Sequence, residues 1–77
     1  MITASVFHSS KKRLKSCGWI YSHNNELGNR VYSKKVNDVE LIATIYDDGA
    51  IEVFIDCKYP TSDDFLAFAE ELKKLED

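Results

Sequence analysis

The alternation that runs from Val39 to Cys57 limits the fold more tightly than any other feature of the chain. Val39, Leu41, Ala43 and Ile45 alternate with Glu40, Ile42, Thr44 and Tyr46; Ile51, Val53, Ile55 and Cys57 alternate with Glu52, Phe54 and Asp56. A period of two held over this length means strands with one strongly apolar face. Between the two runs lies "YDDGA". Asp47 and Asp48 suit a type I turn, and Gly49 supplies the left-handed residue of a three-residue hairpin loop. This loop pairs Tyr46 with Ala50, Ile45 with Ile51, Ala43 with Val53 and Leu41 with Ile55. The apolar sets then meet on one face, an independent reason for that register.

Upstream, "VYSKKVNDVEL" predicts a second hairpin, with Asn37 and Asp38 as a two-residue turn. Both residue types tolerate positive φ. The turn sets Val36 against Val39, and Lys35 against Glu40 as a cross-strand ion pair on the outer face. Lys34 then falls on the core side opposite Leu41. A lysine there calls for an edge strand, with its stem packed and its ammonium in water. "CGWIYS" reads as one more short strand, joined to the meander by the polar loop "HNNELGN".

The final segment, "YPTSDDFLAFAEELKKLED", predicts a helix from about Ser62 to Leu75. Thr61 or Ser62 is the N-cap, Asp63 and Asp64 occupy the first turn, and Lys73 and Lys74 stand near the end. Phe65, Phe68, Leu72 and Leu75 form the expected buried stripe, widened by Leu66 and Ala69. At the other end, Ser9 or Ser10 caps a short helix that runs through Cys17 and stops at Gly18. Its inward residues are Phe7, Leu14 and Cys17, while Lys11, Lys12, Arg13 and Lys15 fan over the exposed side. Together these elements predict one α+β domain over residues 1–77. An antiparallel β-meander of three to four strands packs against the C-terminal helix, with a short N-terminal helix besides.

Charge is divided unevenly along the chain. Residues 1–35 carry seven Lys/Arg and one acid, a net of +6, whereas residues 36–77 carry three Lys and twelve acids, a net of −9. Either the fold brings the halves together, or the surface holds separate basic and acidic patches that steer a charged partner. The N-terminal segment has no long apolar stretch and its basic residues follow the apolar ones, unlike a signal peptide. Nothing approaches the roughly 18 apolar residues of a membrane span. The expectation is a cytoplasmic protein with Cys17 and Cys57 as free thiols.

Chemistry-bearing motifs are sparse. His8, Cys17, His23 and Cys57 have zinc-binding side chains, but no spacing among them forms a CxxC or HxxxH pair. A cysteine nucleophile would need one of these histidines beside it with an orienting group behind, and no local motif arranges that. Asp47-Asp48 is ordinary turn composition. The expectation is therefore a protein that is not an enzyme and needs no metal or cofactor.

Two binding readings remain. In the first, the chain is a small protein-binding module, an adaptor or inhibitor of a larger intracellular protein or nucleic-acid-processing complex. Small proteins of this sort are common among phage and plasmid accessory products. Its contact residues are Lys11, Lys12, Arg13 and Lys15, together with Glu40, Ile42, Phe54 and Asp56. Ile42 and Phe54 form a cross-strand apolar pair rimmed by acids on the sheet face away from the C-terminal helix. In the second, the basic segment binds nucleic acid through Lys11, Lys12, Arg13 and Lys15, extended by Arg30, Lys34 and Lys35, with Trp19 and Tyr21 as stacking surfaces. Against it, Trp19 and Tyr21 suit core layers, and the twelve acids would be held near any long polyanion. A third arrangement leaves no site: the N-terminal helix covers the second sheet face and its lysines bridge to the acids.

Overall fold

A computed structural model describes residues 3–6 and 11–76, with side chains over 12–75. The elements in chain order are β1 (Thr3–Val6), α1 (Lys11–Ser16), β2 (Ile20–Asn24), β3 (Arg30–Val36), β4 (Val39–Ile45), β5 (Ile51–Asp56) and α2 (Ser62–Glu76). The strands form a single sheet in the order β1-β5-β4-β3-β2, with every neighbouring pair antiparallel. The fold is the expected α+β meander with a C-terminal helix and a short N-terminal one. β1 adds a fifth strand. Four residues are too few to display a period; β1 is fixed by its ladder to β5, with Ala4 beside Val53 and Val6 beside Ile51. Alternating directions leave β1 and β2 parallel at opposite edges, so the chain must cross the sheet between them. α1 lies on that crossing.

Both hairpins have the expected register. Ile45, Ala43, Ile42 and Leu41 pair with Ile51, Val53, Phe54 and Ile55, and Val36, Lys35 and Lys34 pair with Val39, Glu40 and Leu41. Asn37 and Asp38 hold φ of 52° and 65°, the left-handed pair that a two-residue loop needs to follow the strand twist. At the other hairpin, Gly49 takes φ of 91° while the Ala50 amide donates to the Asp48 carboxylate at 3.0 Å.

α1 closes with a Schellman arrangement. The Trp19 amide donates to the Leu14 carbonyl at 3.0 Å and the Gly18 amide to Lys15 at 3.1 Å, with Gly18 at φ of 93°. Leu14 and Trp19, the residues that flank this motif, are both buried in the core. The indole N–H of Trp19 finds no acceptor among the described residues, a cost that burial of the ring must exceed. Tyr21 does not join a core layer: it stays about half exposed and meets Tyr32 edge-on at 5.6 Å. Trp19 ends the chain's path through the core, and Tyr21 already belongs to an edge strand that solvent reaches throughout. Phe7, Ser9 and Ser10 lie outside the described residues.

α2 starts at a reciprocal cap, in which the Asp64 amide donates to Thr61 Oγ1 at 3.2 Å and the Thr61 amide to Asp64 Oδ2 at 2.8 Å. Its buried side differs from the hydropathy stripe. Asp64, Phe68, Glu71 and Leu75 are buried and Leu72 half-buried, whereas Phe65, Leu66 and Ala69 are exposed, Leu66 to 63%. The spacing of four, three and four is helical, but two of the four positions are carboxylates. Asp64 is turned inward by the cap, and Glu71 by a lysine beneath it.

That lysine is Lys34. It sits on β3, one strand in from the edge, and its ammonium is not in water. Nζ lies 2.6 Å from Glu71 Oε1 and also donates to the Cys17 carbonyl at the end of α1. Glu71 and Cys17 supply the acceptors that solvent would otherwise provide, so the residue does not need an edge strand. Leu14 from α1 and Phe68 and Leu75 from α2 enter the same core as Leu41, Val53 and Ile55. Both helices therefore cover one face of the sheet. α1 does not cover the second face, and no described helix does.

Leu41 and Phe68 are buried in this core, so Leu41→Ala or Phe68→Ala should each lower stability by roughly 2–5 kcal/mol in urea denaturation. Leu66→Gln, on the exposed side of α2, should change it by less than about 0.5 kcal/mol. A large loss at Leu66 would restore the hydropathy stripe.

Candidate functional site

The face that no described helix covers is built by the outward positions of β2 to β5. Ladder pairing carries one row across the sheet, from Ile20 through Ser33 and Ile42 to Phe54. Ile20 is 71% exposed on the edge strand, and Ile42 and Phe54 are half-buried. The row on one side holds Lys35, Glu40 and Asp56, all exposed; the row on the other holds Val31 and Thr44, both buried, and half-buried Glu52. The face is thus an apolar band with carboxylates on both flanks. Lys35 stands opposite Glu40, but the two do not close an ion pair. Exposed side chains at high dielectric gain little from closing, which explains the difference. The Tyr46 hydroxyl donates to Glu52 Oε1 at 3.3 Å. Burial, then the charge of Glu52 and this bond, raise the Tyr46 phenol above its ordinary value.

The basic residues lie on the other side of the protein. Leu14 points α1 into the core, which leaves Lys12 and Lys15 exposed and Arg13 half-buried. Lys11 belongs to α1, but its side chain is outside the described residues. Lys12, Arg13, Ser16 and Cys17 share a concavity of about 380 Å³ with Lys74 of α2. Glu40, Ile42, Phe54 and Asp56 are thus brought together, while Lys12, Arg13 and Lys15 are separated from them by the thickness of the molecule. The wider basic set is also dispersed. Lys34 is held by Glu71, Lys35 lies on the acidic face, and Arg30 lines a different hollow at the far end of β3, beside Asn24, Asn29 and Asp47. Sequence pattern alone does not single out two further residues of these surfaces. Ile20 is legible in hindsight, because the buried Trp19 before it puts Ile20 outward. Lys74 carries no such signal, since only the return of α2 across the sheet places it beside α1.

Beneath the concavity, Glu71 accepts from Lys34 at 2.6 Å and from Lys74 at 3.1 Å. Burial pushes its carboxyl up, but the two hydrogen bonds and the two ammonium charges together outweigh it, so the carboxyl titrates below the ordinary value. The same contact, through its hydrogen bond and then its charge, raises Lys74. Cys17 and Cys57 are free and half-buried, and the His23 ring nitrogen Nδ1 lies 2.9 Å from the Ser22 hydroxyl. No group of three metal-binding side chains occurs among the described residues; His8 lies outside them. No described helix is long and apolar enough to cross a membrane. No family model, curated protein or solved structure matches this chain. Its function has to be argued from these two surfaces.

Because the folded-state value of Glu71 lies below its unfolded one, its contribution to stability is complete above the ordinary glutamate value of 4.5. It is lost as pH falls through the folded value. Glu71→Gln should therefore be less stable than wild type at pH 7, and the gap should narrow as the pH is lowered towards about 3. Urea denaturation at both pH values checks this, and a gap that does not change with pH would contradict it.

Proposed function

We propose that this chain is a non-catalytic protein-binding module, an adaptor or inhibitor of a larger protein or complex, and that it makes contact through the sheet face that no described helix covers. The observation that carries the reading is the band of Ile20, Ile42 and Phe54 on a face with no described helix over it. A sheet with one covered face ordinarily turns a polar second face to water. Here the second face has apolar side chains in its middle row and charge at its margins, the layout of a protein interface with a desolvated centre and a polar rim. Glu40, Asp56 and Glu52 make the rim mainly acidic, so the matching partner surface is apolar at its centre and basic around it. Complementary rims steer the encounter and fix the register, while the apolar centre contributes most of the affinity.

Ile42→Thr combined with Phe54→Thr places strand-favouring β-branched residues at both positions and removes the apolar centre. Tagged wild-type protein should capture a nuclease-resistant partner from host lysate, and the double variant, with an unchanged melting temperature, should lose it. Measured on the purified partner, each anchor should account for at least about 1 kcal/mol, a fivefold or greater loss of affinity. Retention of the partner by the double variant would move the contact away from this face.

A further inference from the structure

We propose that the outer side of α2 is a self-association surface, and that its occupant is the α2 of a second copy of this chain, lying antiparallel to it. α2 carries two seams of helical spacing. Asp64, Phe68, Glu71 and Leu75 make the buried one, and Phe65, Ala69 and Leu72 repeat its intervals of four and three beside it. A helix that covers a sheet needs only the first seam; a second is the pattern by which helices pair. Leu66 is 63% exposed, Phe65 37%, and Ala69 is exposed with them. At about 100° per residue, these three centre about 135° round the helix from the buried set. Lys74, which lines the concavity beside α1, stands about 90° from that set in the other direction. The apolar arc therefore lies on the side of α2 away from α1.

The charges at the two ends of α2 select a second copy as the occupant. Asp63 in the first turn and Lys73 in the last are both exposed. A twofold antiparallel pairing about Ala69 sets Leu66 against Leu72 of the other copy and Phe65 against the stem of its Lys73, which packs on the ring. Asp63 is two residues further on, about 3 Å along the axis, within reach of the same ammonium. One helix thus supplies both halves of two identical contacts, and the opposed macrodipoles add to them. A parallel pairing would set Asp63 on Asp63 and Lys73 on Lys73. Ala69 at the centre lets the helices approach closely.

The dimer is a weak one. α2 has 15 residues and is about 22 Å long. A seam of that length buries less than the roughly 1,200 Å² of a standard interface, so association depends on concentration. At the few-micromolar protein of a urea titration the chain is monomeric, and Leu66→Gln has little effect there.

Sedimentation velocity between about 5 µM and about 1 mM protein tests the proposal. The mass should rise from 8.8 kDa towards twice that value. Leu66→Gln should remain monomeric. Asp63→Lys and Lys73→Asp, with folding checked by melting temperature, should each weaken association roughly fivefold. An equimolar mixture of these two variants should regain it, because both contacts of the mixed pair join opposite charges. Ile42→Thr with Phe54→Thr should associate like wild type, so the proposal does not depend on the sheet-face reading. Wild type that stays at 8.8 kDa at about 1 mM overturns the proposal. Association of Leu66→Gln at wild-type strength overturns it too, as does a mixture no stronger than its components. Loss of association in the Ile42→Thr, Phe54→Thr variant would put the contact on the sheet face and would overturn it as well.

Discussion

A single buried ion pair fixes which side of the sheet both helices occupy. Lys34 reaches up from β3 to Glu71 of α2 and to the Cys17 carbonyl that ends α1, at side-chain exposures of 20% and 7% for the pair. Three elements distant in sequence thus converge on one ammonium. Gly18 follows that carbonyl at φ of 93°, which favours glycine, although a Cβ there would make only ordinary contact with the Lys34 side chain, at 3.5 Å. Burying such a pair costs desolvation of both charges, so its net stabilisation can be small. Its larger effect is on arrangement. With Lys34 in place, α2 has to turn Glu71 inward, and the helix settles on a side that includes two carboxylates rather than the side richest in phenylalanine and leucine.

The division of surfaces follows from that choice. With α1 drawn to the same side as α2, Lys12 and Lys15 lie over the helices, while Lys35 and the carboxylates of β4 and β5 stand with Ile42 and Phe54 on the far side. The uneven charge of the chain thus becomes two faces of opposite character on a molecule two layers thick.

The sheet was legible in the sequence wherever a period of two ran for six residues or more and ended at a turn with its own chemistry. Asn37-Asp38 and Asp47-Asp48-Gly49 fixed both hairpin registers, and those registers put Ile42 beside Phe54. β1 was not legible, because four residues carry no period and their partner strand lies at the other end of the chain. The rotation of α2 was hidden for a different reason. Hydropathy treats Glu71 as surface, and only a lysine 37 positions away in sequence makes its burial favourable. The same long-range contact decides whether Lys34 belongs to a basic patch, and its answer removes Lys34 from one. Lys74 joins the basic groove for reasons equally remote from its own neighbours.

A double-mutant cycle on Lys34 and Glu71 tests this most directly, with Lys34→Met and Glu71→Leu measured singly and together by urea denaturation. If the pair clasps both helices to the sheet, Glu71→Leu strands the Lys34 ammonium and costs roughly 3 kcal/mol, Lys34→Met costs less because Lys74 still faces Glu71, and the double change costs far less than the sum. The coupling energy is then at least about 1–2 kcal/mol. Additive effects within about 0.5 kcal/mol would mean that Lys34 and Glu71 do not depend on each other, and that something else holds the two helices on one face.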